Sequence, residues 1–239
     1  MMVTMPYGVG PVNTGPRAVP EPEEERMSSL PEGAGRGDLA RARLLEAAVE
    51  AFGAKGFHGT TTRDIATGAG MSPAAVYVHH RSKEELLYAV SRVGHEKTLE
   101  LVRDAAATPG TPTDRLAAIA REFARYHAES HTWARIVNYE LSALSPEHLE
   151  EIRALRIGIE QEVRATIEAG IAAGEFDVPD TGMATTAVLS LGIDIARWYR
   201  EDGRWTPADV GAHMTDLALR IVGAAPAVSR RRSRRAGTP

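Results

Sequence analysis

The segment 60–86, TTTRDIATGAGMSPAAVYVHHRSKEEL, constrains the fold more than any other part of the chain. Its punctuation predicts two short helices, a tight turn between them and the start of a third. Thr61 is placed to cap the first helix, and Asp64 three residues on completes a capping box. Ile65 and Ala66 give that helix an apolar side. Gly68-Ala69-Gly70 breaks it, because glycine accepts turn geometry that other residues resist. Ser72 is a good cap for the next helix, and Pro73 suits its first position, where no backbone N–H is needed. Helix, glycine turn and short second helix make a helix-turn-helix, whose second helix ordinarily lies in the DNA major groove. The expected partner is double-stranded DNA.

The flanks fit this reading. Upstream, 41–55 carries Leu45, Ala48, Val49 and Phe52 at helical spacing, so one apolar face is available to pack behind the motif. Gly56 ends that helix, Phe57 re-enters the core, and Ser82 caps a helix that begins at Lys83. Further on, helical patterns cover 83–107, 114–129, 132–143, 146–173, 181–199 and 207–222, with breaks at Pro109-Gly110-Thr111-Pro112, Ser145-Pro146, Gly174 and Asp202-Gly203. No strand alternation or hairpin signal stands out.

The motifs Gly56-Phe57, Thr60-Thr61, Ile65-Ala66, Ala69-Gly70-Met71-Ser72, Tyr77, His79, Lys83 and Leu86 occur in the order and spacing of the TetR family of bacterial repressors, which this chain resembles. Two positions depart from the family pattern. Ala74 stands for a frequent glycine, and His80 for the phenylalanine that normally plugs the domain's core. The resemblance implies an all-α fold, with an N-terminal three-helix helix-turn-helix domain and a six-helix C-terminal ligand-binding and dimerisation domain. The expected division is a disordered tail 1–37, the DNA-binding domain 38–86, the effector and dimerisation domain 87–224 and an Arg-rich disordered tail 225–239.

The resemblance also implies roles for individual residues. Tyr77, His79 and Lys83 fall where the family meets the phosphate backbone, contacts that set register rather than sequence preference. Base reading falls to Pro73, Ala74, Ala75 and Val78, with help from Thr62 and Arg63. Such small apolar side chains suit thymine methyl groups more than bidentate hydrogen bonding, and Arg63 is the candidate for a guanine or phosphate. With the caps Thr61 and Ser72 these residues make up the expected DNA-facing set.

Charge limits the kind of DNA binding. Over 39–90 the cations Arg41, Arg43, Lys55, Arg63, Arg81 and Lys83 are nearly balanced by Glu46, Glu50, Asp64, Glu84 and Glu85, and the whole chain carries −4. A non-specific nucleic-acid coat would need a broad basic face, so specific binding is expected. The chain has no cysteine, which removes disulfides, thiol catalysis and thiolate metal sites. No apolar run approaches the ~20 residues of a membrane span, and the N-terminus lacks a secretory pattern, so a cytoplasmic protein is expected. The first 37 residues hold six prolines and six glycines and an acidic patch at Glu21, Glu23, Glu24 and Glu25, which predicts disorder and makes Met27 an alternative start. The last residues carry Arg230, Arg231, Arg232, Arg234 and Arg235, a solvated tail or an electrostatic arm toward DNA.

In the C-terminal half, Val188, Leu191, Ile195 and Trp198 share one face, and Val210, Met214, Leu217 and Ile221 another. By resemblance the last two helices pair with those of a second subunit, although the same stripes also suit the subunit's own core. The middle helices are expected to enclose a small-molecule effector against Phe123, Tyr126, His127, Trp133, Val137, Glu140 and Trp198. The segment Ala196 to Arg200 resembles actinobacterial repressors of lipid and steroid catabolism that sense acyl-coenzyme A, and Arg135, Arg153, Arg156 and Arg197 are available for its polar groups. No catalytic residue, cofactor or bound metal is expected. Two alternatives rest on His127 and His131, four residues apart, with Glu129 and His95 as candidate neighbours: a metal-responsive regulator and a metal-dependent hydrolase. A further alternative is an interaction protein with a vestigial helix-turn-helix.

Overall fold

The computed structural model describes residues 36–224, so the expectations for the tails and for a start at Met27 lie outside the described residues. The chain divides into the units Met1–Leu39 and Ala40–Pro239, and everything below concerns the second apart from the opening turn of the first helix. Among the described residues there are nine α-helices and no strand: α1 Arg36–Gly59, α2 Thr62–Gly68, α3 Pro73–His79, α4 Lys83–Ala106, α5 Pro112–Glu129, α6 His131–Tyr139, α7 Pro146–Ala172, α8 Thr181–Trp198 and α9 Pro207–Ile221. A single 3-10 turn, Leu141–Ala143, follows α6. This is the expected all-α architecture.

Caps explain most boundaries. Thr61 accepts from the Asp64 amide and Asp64 answers to the Thr61 amide at 2.8 Å, closing the predicted box at α2. Thr111 with Asp114 and Thr206 with Asp209 do the same at α5 and α9, each followed by a proline at the first helical positions. Ser72, Ser82, Ser145 and Asp180 cap α3, α4, α7 and α8. The expected break at Gly56 is a kink inside the helical span, where φ is 71° and ψ 167°, a conformation open in practice only to glycine. Gly70, at φ 65°, makes the turn between α2 and α3.

Two differences from expectation have simple causes. The first helix opens at Arg36 rather than 41, with Asp38 in its first turn to complement the helix dipole. The span 132–143 divides into α6 and the 3-10 turn at Glu140. In the apolar stripes of α8 and α9, Val188, Ile195 and Val210 are buried in the subunit's own core, while Trp198 and Leu217 are exposed.

The interior falls into two large apolar clusters. One joins Leu44, Phe52, Phe57, Ile65, Val76 and Leu86 of the N-terminal helices to Ile136, Leu144 and Ile152. The other joins the second half of α4 to α5, α7, α8 and α9 through residues such as Val102, Leu116, Val163, Ile167 and Val188. Helix α4 contributes to both, so one rigid rod runs from the helix-turn-helix into the C-terminal core. At the first cluster's edge, His80 occupies the place of the family's phenylalanine. It is half-buried, and its Nε2 is buried without a hydrogen-bond partner among the described residues. Burial pushes its ionisation below the ordinary histidine range. A phenyl ring of similar shape has no polar atom to desolvate, so His80→Phe should stabilise the protein by about 1 kcal/mol. Thermal unfolding at pH 7.5 checks this, the midpoint rising by a few degrees.

Candidate nucleic-acid interface and internal cavity

The recognition helix α3 is held by Val76, fully buried, and by Ser72, whose hydroxyl accepts from the Ala75 amide at 3.2 Å. One anchored residue per turn leaves the rest of so short a helix facing outward. Tyr77 is 53% and Val78 79% exposed, and Ser72, Pro73 and Ala74 are exposed beside them. Large exposed apolar side chains on a rigid helix need a partner to cover them. Ala75 and His79 are half-buried. On α2, Arg63 is exposed and makes no ion pair among the described residues, Thr62 is half-buried, and the cap Thr61 is exposed. The Asp64 carboxylate, which would repel phosphates, is neutralised by Lys55 Nζ at 2.8 Å. That hydrogen bond and those from Thr61 hold its carboxyl well below the usual range. Of the residues predicted to face DNA, Tyr77 and Val78 are thus the most exposed, Thr61, Arg63, Ser72, Pro73 and Ala74 are exposed, and Thr62, Ala75 and His79 are half-buried.

Lys83 is the exception. Its ammonium donates to the carbonyls of Phe57 and Thr60, each at 2.7 Å, and lies 4.3 Å from the Phe57 ring centroid. Two of its three N–H groups are therefore committed to fastening α4 onto the end of α1, and one remains for a phosphate. No local pattern signals this, because the carbonyls belong to residues more than 20 positions away. Lys83→Met should leave the Thr60 carbonyl unmet and the Phe57 carbonyl with only the Thr60 amide at 3.3 Å, and cost on the order of 2 kcal/mol in a denaturant titration.

Behind this surface α4 meets the loop before α7. Glu84 accepts from the Ser145 amide at 2.8 Å and lies 2.8 Å from His148 Nδ1. Tyr88 stacks on His148 with centroids 3.9 Å apart and donates to Glu151.

Further along α4 begins a cavity of about 430 Å³, walled by α4, α5, α6, α7 and α8. Of the expected ligand-facing residues, Phe123, His127 and Val137 line it. Tyr126, Trp133, Glu140 and Trp198 do not. Trp133 is turned toward α4, donating to the Val90 carbonyl at 3.1 Å. Trp198 stands on the surface against Trp205. Tyr126 is half-buried and Glu140 follows the end of α6, and neither reaches the wall. Arg153 and Arg156 line the cavity, whereas Arg135 donates to the Gly53 carbonyl and Arg197 lies beside Asp194. His95 and Asn138 are wall residues that sequence reasoning missed. His95 drew notice only as a candidate metal neighbour, and its i, i+4 relation to Ser91 is the only local hint of burial.

The histidine-based alternatives find no support. His127 ends α5 and His131 opens α6, so the two rings do not share a helix face. Each Nδ1 bonds a backbone carbonyl, of Phe123 and of Ala128. Among the described residues no three His, Asp or Glu side chains converge as a metal site.

An exposed recognition helix anchored by the buried Val76, joined by one long helix to a cavity in an all-α domain, defines a helix-turn-helix regulator. Residues 44–90 match the family described as bacterial regulatory proteins, tetR family, and residues 109–222 match the tetracyclin repressor-like C-terminal domain. A bacterial regulatory protein of the tetR family from Rhodococcus RHA1 is 40% identical, with 81% of this chain and all of that one aligned at a TM-score of 0.76. The regulator PfmR of Thermus thermophilus is 33% identical over 74% of this chain and 97% of its own, with a TM-score of 0.70. The transcriptional repressor KstR2 of Mycobacterium tuberculosis is 27% identical over 78% of this chain and 94% of its own. This chain belongs to the TetR family of transcriptional regulators.

Proposed function

We propose that the protein is a ligand-responsive repressor that binds a palindromic operator as a homodimer in the cytoplasm and is released by a small apolar effector, an acyl-coenzyme A or its acid. The carrying observation is the outward-facing Tyr77–Val78 pair on a helix whose neighbours are rigidly capped. Such a surface suits thymine methyls and phosphates. Tyr77, His79 and the free N–H of Lys83 position the backbone, with Thr61, Thr62, Arg63 and Ser72 flanking, while Pro73, Ala74, Ala75 and Val78 meet base edges. The second subunit covers the apolar groups left exposed on α8 and α9, among them Met183, Trp198 and Leu217. Two-fold symmetry then sets half-sites about one helical turn, ~34–36 Å, or more apart.

The effector reading draws on the cavity and on relatives. KstR2 is described as a ketosteroid regulator, and a Bacillus subtilis relative, 23% identical, as a fatty acid metabolism regulator. At roughly 30 Å³ per water-sized unit, the cavity of about 430 Å³ accommodates on the order of 14 non-hydrogen atoms. That suits a medium acyl chain but not coenzyme A, which would lie outside past exposed Arg153. Because α4 lines the cavity and also starts in the helix-turn-helix core, a ligand that shifts it changes the separation of the two recognition helices. The effector must bind the operator-incompetent state more tightly, and the operator reciprocally weakens effector binding.

A footprint of purified protein on the DNA upstream of its own gene, at ~150 mM salt, tests this, since phosphate-driven non-specific binding fades there. A protected two-fold symmetric site, lost on adding decanoyl-coenzyme A, is the expected outcome. Protection that no acyl-coenzyme A relieves would remove the effector class, and no protection would remove the repressor.

A further inference from the structure

The cavity has a polar end with an unusual balance. The Arg156 guanidinium is half-buried, and its Nη1 donates to Asn138 Oδ1 at 3.0 Å and faces His95 Nε2 at 3.3 Å. Neither partner is an anion. The two acids in the wall have cations of their own, Glu150 with Arg153 and Glu160 with Arg164. Arg156 is thus a half-buried cation with no carboxylate partner among the described residues, and its Nε and Nη2 hydrogens are uncommitted. A charge removed from water without a counter-charge is costly, so a ligand oxygen there gains what the protein withholds.

The second observation is His127. The residue is 3% exposed, and its Nδ1 lies 2.8 Å from the Phe123 carbonyl, which can only accept. The proton is therefore on Nδ1. His95 is held in the same way against the Ser91 carbonyl at 2.8 Å. Burial keeps both rings neutral, with pKa values near 4. In each, Nε2 is then an acceptor. His95 Nε2 receives Arg156, but His127 Nε2 has no partner among the described residues and belongs to the cavity wall. Phe123, Val137, Ile157, Ile159, Leu189 and Ile193 supply the apolar part of that wall, beside the hydroxyls of Thr98, Thr186 and Ser190.

We propose that the cavity selects a hydroxylated acyl ligand, whose carboxylate or thioester oxygen is held by Arg156 and whose hydroxyl donates to His127 Nε2. This rests on the effector reading above and narrows it to one chemistry: an apolar acid, or its thioester, bearing a hydrogen-bond donor. A ligand without the hydroxyl leaves this acceptor without a partner and binds about tenfold more weakly.

The test is calorimetric titration of the full chain at pH 7.5 with decanoate and its 2-, 3- and 10-hydroxy derivatives, each as free acid and as coenzyme A thioester. At least one hydroxylated member should bind about tenfold more tightly than its parent, and the acid and thioester arms identify the source of the oxygen. His127→Phe should erase that preference, and Arg156→Met should weaken every member at least tenfold. Independently of any variant, the ¹⁵N resonance of the bare His127 Nε2 should move upfield when the preferred ligand is added. Equal affinities across the wild-type series, or a preference that survives His127→Phe, would overturn the proposal. Absence of all binding by a protein that still footprints its operator would overturn it too, leaving the repressor intact. Loss of the footprint itself would instead strike the repressor reading.

Discussion

Val78→Glu should lower operator affinity at least a hundredfold while leaving the melting temperature within about 2 °C. Val78 is 79% exposed, the most solvent-facing of the large apolar side chains among the described residues, so a glutamate is accommodated in the free protein without cost to the core. In the complex the same side chain would place a carboxylate in the groove, where it meets phosphates of like charge and an apolar contact is lost. Like-charge juxtaposition across an interface costs several kcal/mol, and about 3 kcal/mol corresponds to the stated hundredfold. Fluorescence anisotropy on a labelled operator, paired with thermal unfolding, separates the two effects. Val78→Ala, which loses only the methyl contact, should cost much less than the glutamate. Equal losses would mean that Val78 faces no negative charge, and the docking would have to be redrawn.

Acid should destabilise the C-terminal domain through His95 and His127. Both rings are neutral in the fold with pKa near 4, against 6.5 for an ordinary histidine, because burial outweighs the carbonyl that each ring bonds. Between pH 6.5 and 4 the unfolded chain binds more protons than the folded one, so stability is intact above 6.5 and is lost as pH falls through that window. For His95 the facing Arg156 adds to the effect. At pH 5 each group accounts for about 2 kcal/mol on these values, or together a lowering of the melting temperature by roughly 10 °C relative to pH 7.5. His127→Phe should remove about half of that dependence. If the variant and the wild type lost stability in parallel, the acid sensitivity would lie in other groups.

The fold was legible because its boundaries are written in local chemistry. Thr61 with Asp64 announces the start of α2 within four residues, Ser72 and Ser82 announce those of α3 and α4, and Gly56 and Gly70 announce the breaks. The exposure of α3 was legible for the same reason, since it follows on a seven-residue helix once one residue, Val76, is buried. What escaped notice depends on long-range packing. Lys83 looks like a surface cation until the carbonyls of Phe57 and Thr60 fold over it. Trp133 and Trp198 are natural pocket residues by composition, yet one turns to the Val90 carbonyl and the other to Trp205. Conversely, Arg156 was one arginine among four, and only the convergence of α4, α6 and α7 gives it His95 and Asn138 as neighbours. The cavity is assembled from five helices, none of which carries its pattern alone.

Selection of DNA from a random duplex library by the purified wild-type protein at ~150 mM salt tests the central claim most directly. The account predicts enrichment of one two-fold symmetric sequence with half-sites about one helical turn or more apart, and no enrichment by Val78→Glu. A library that emerges without any common sequence would contradict it.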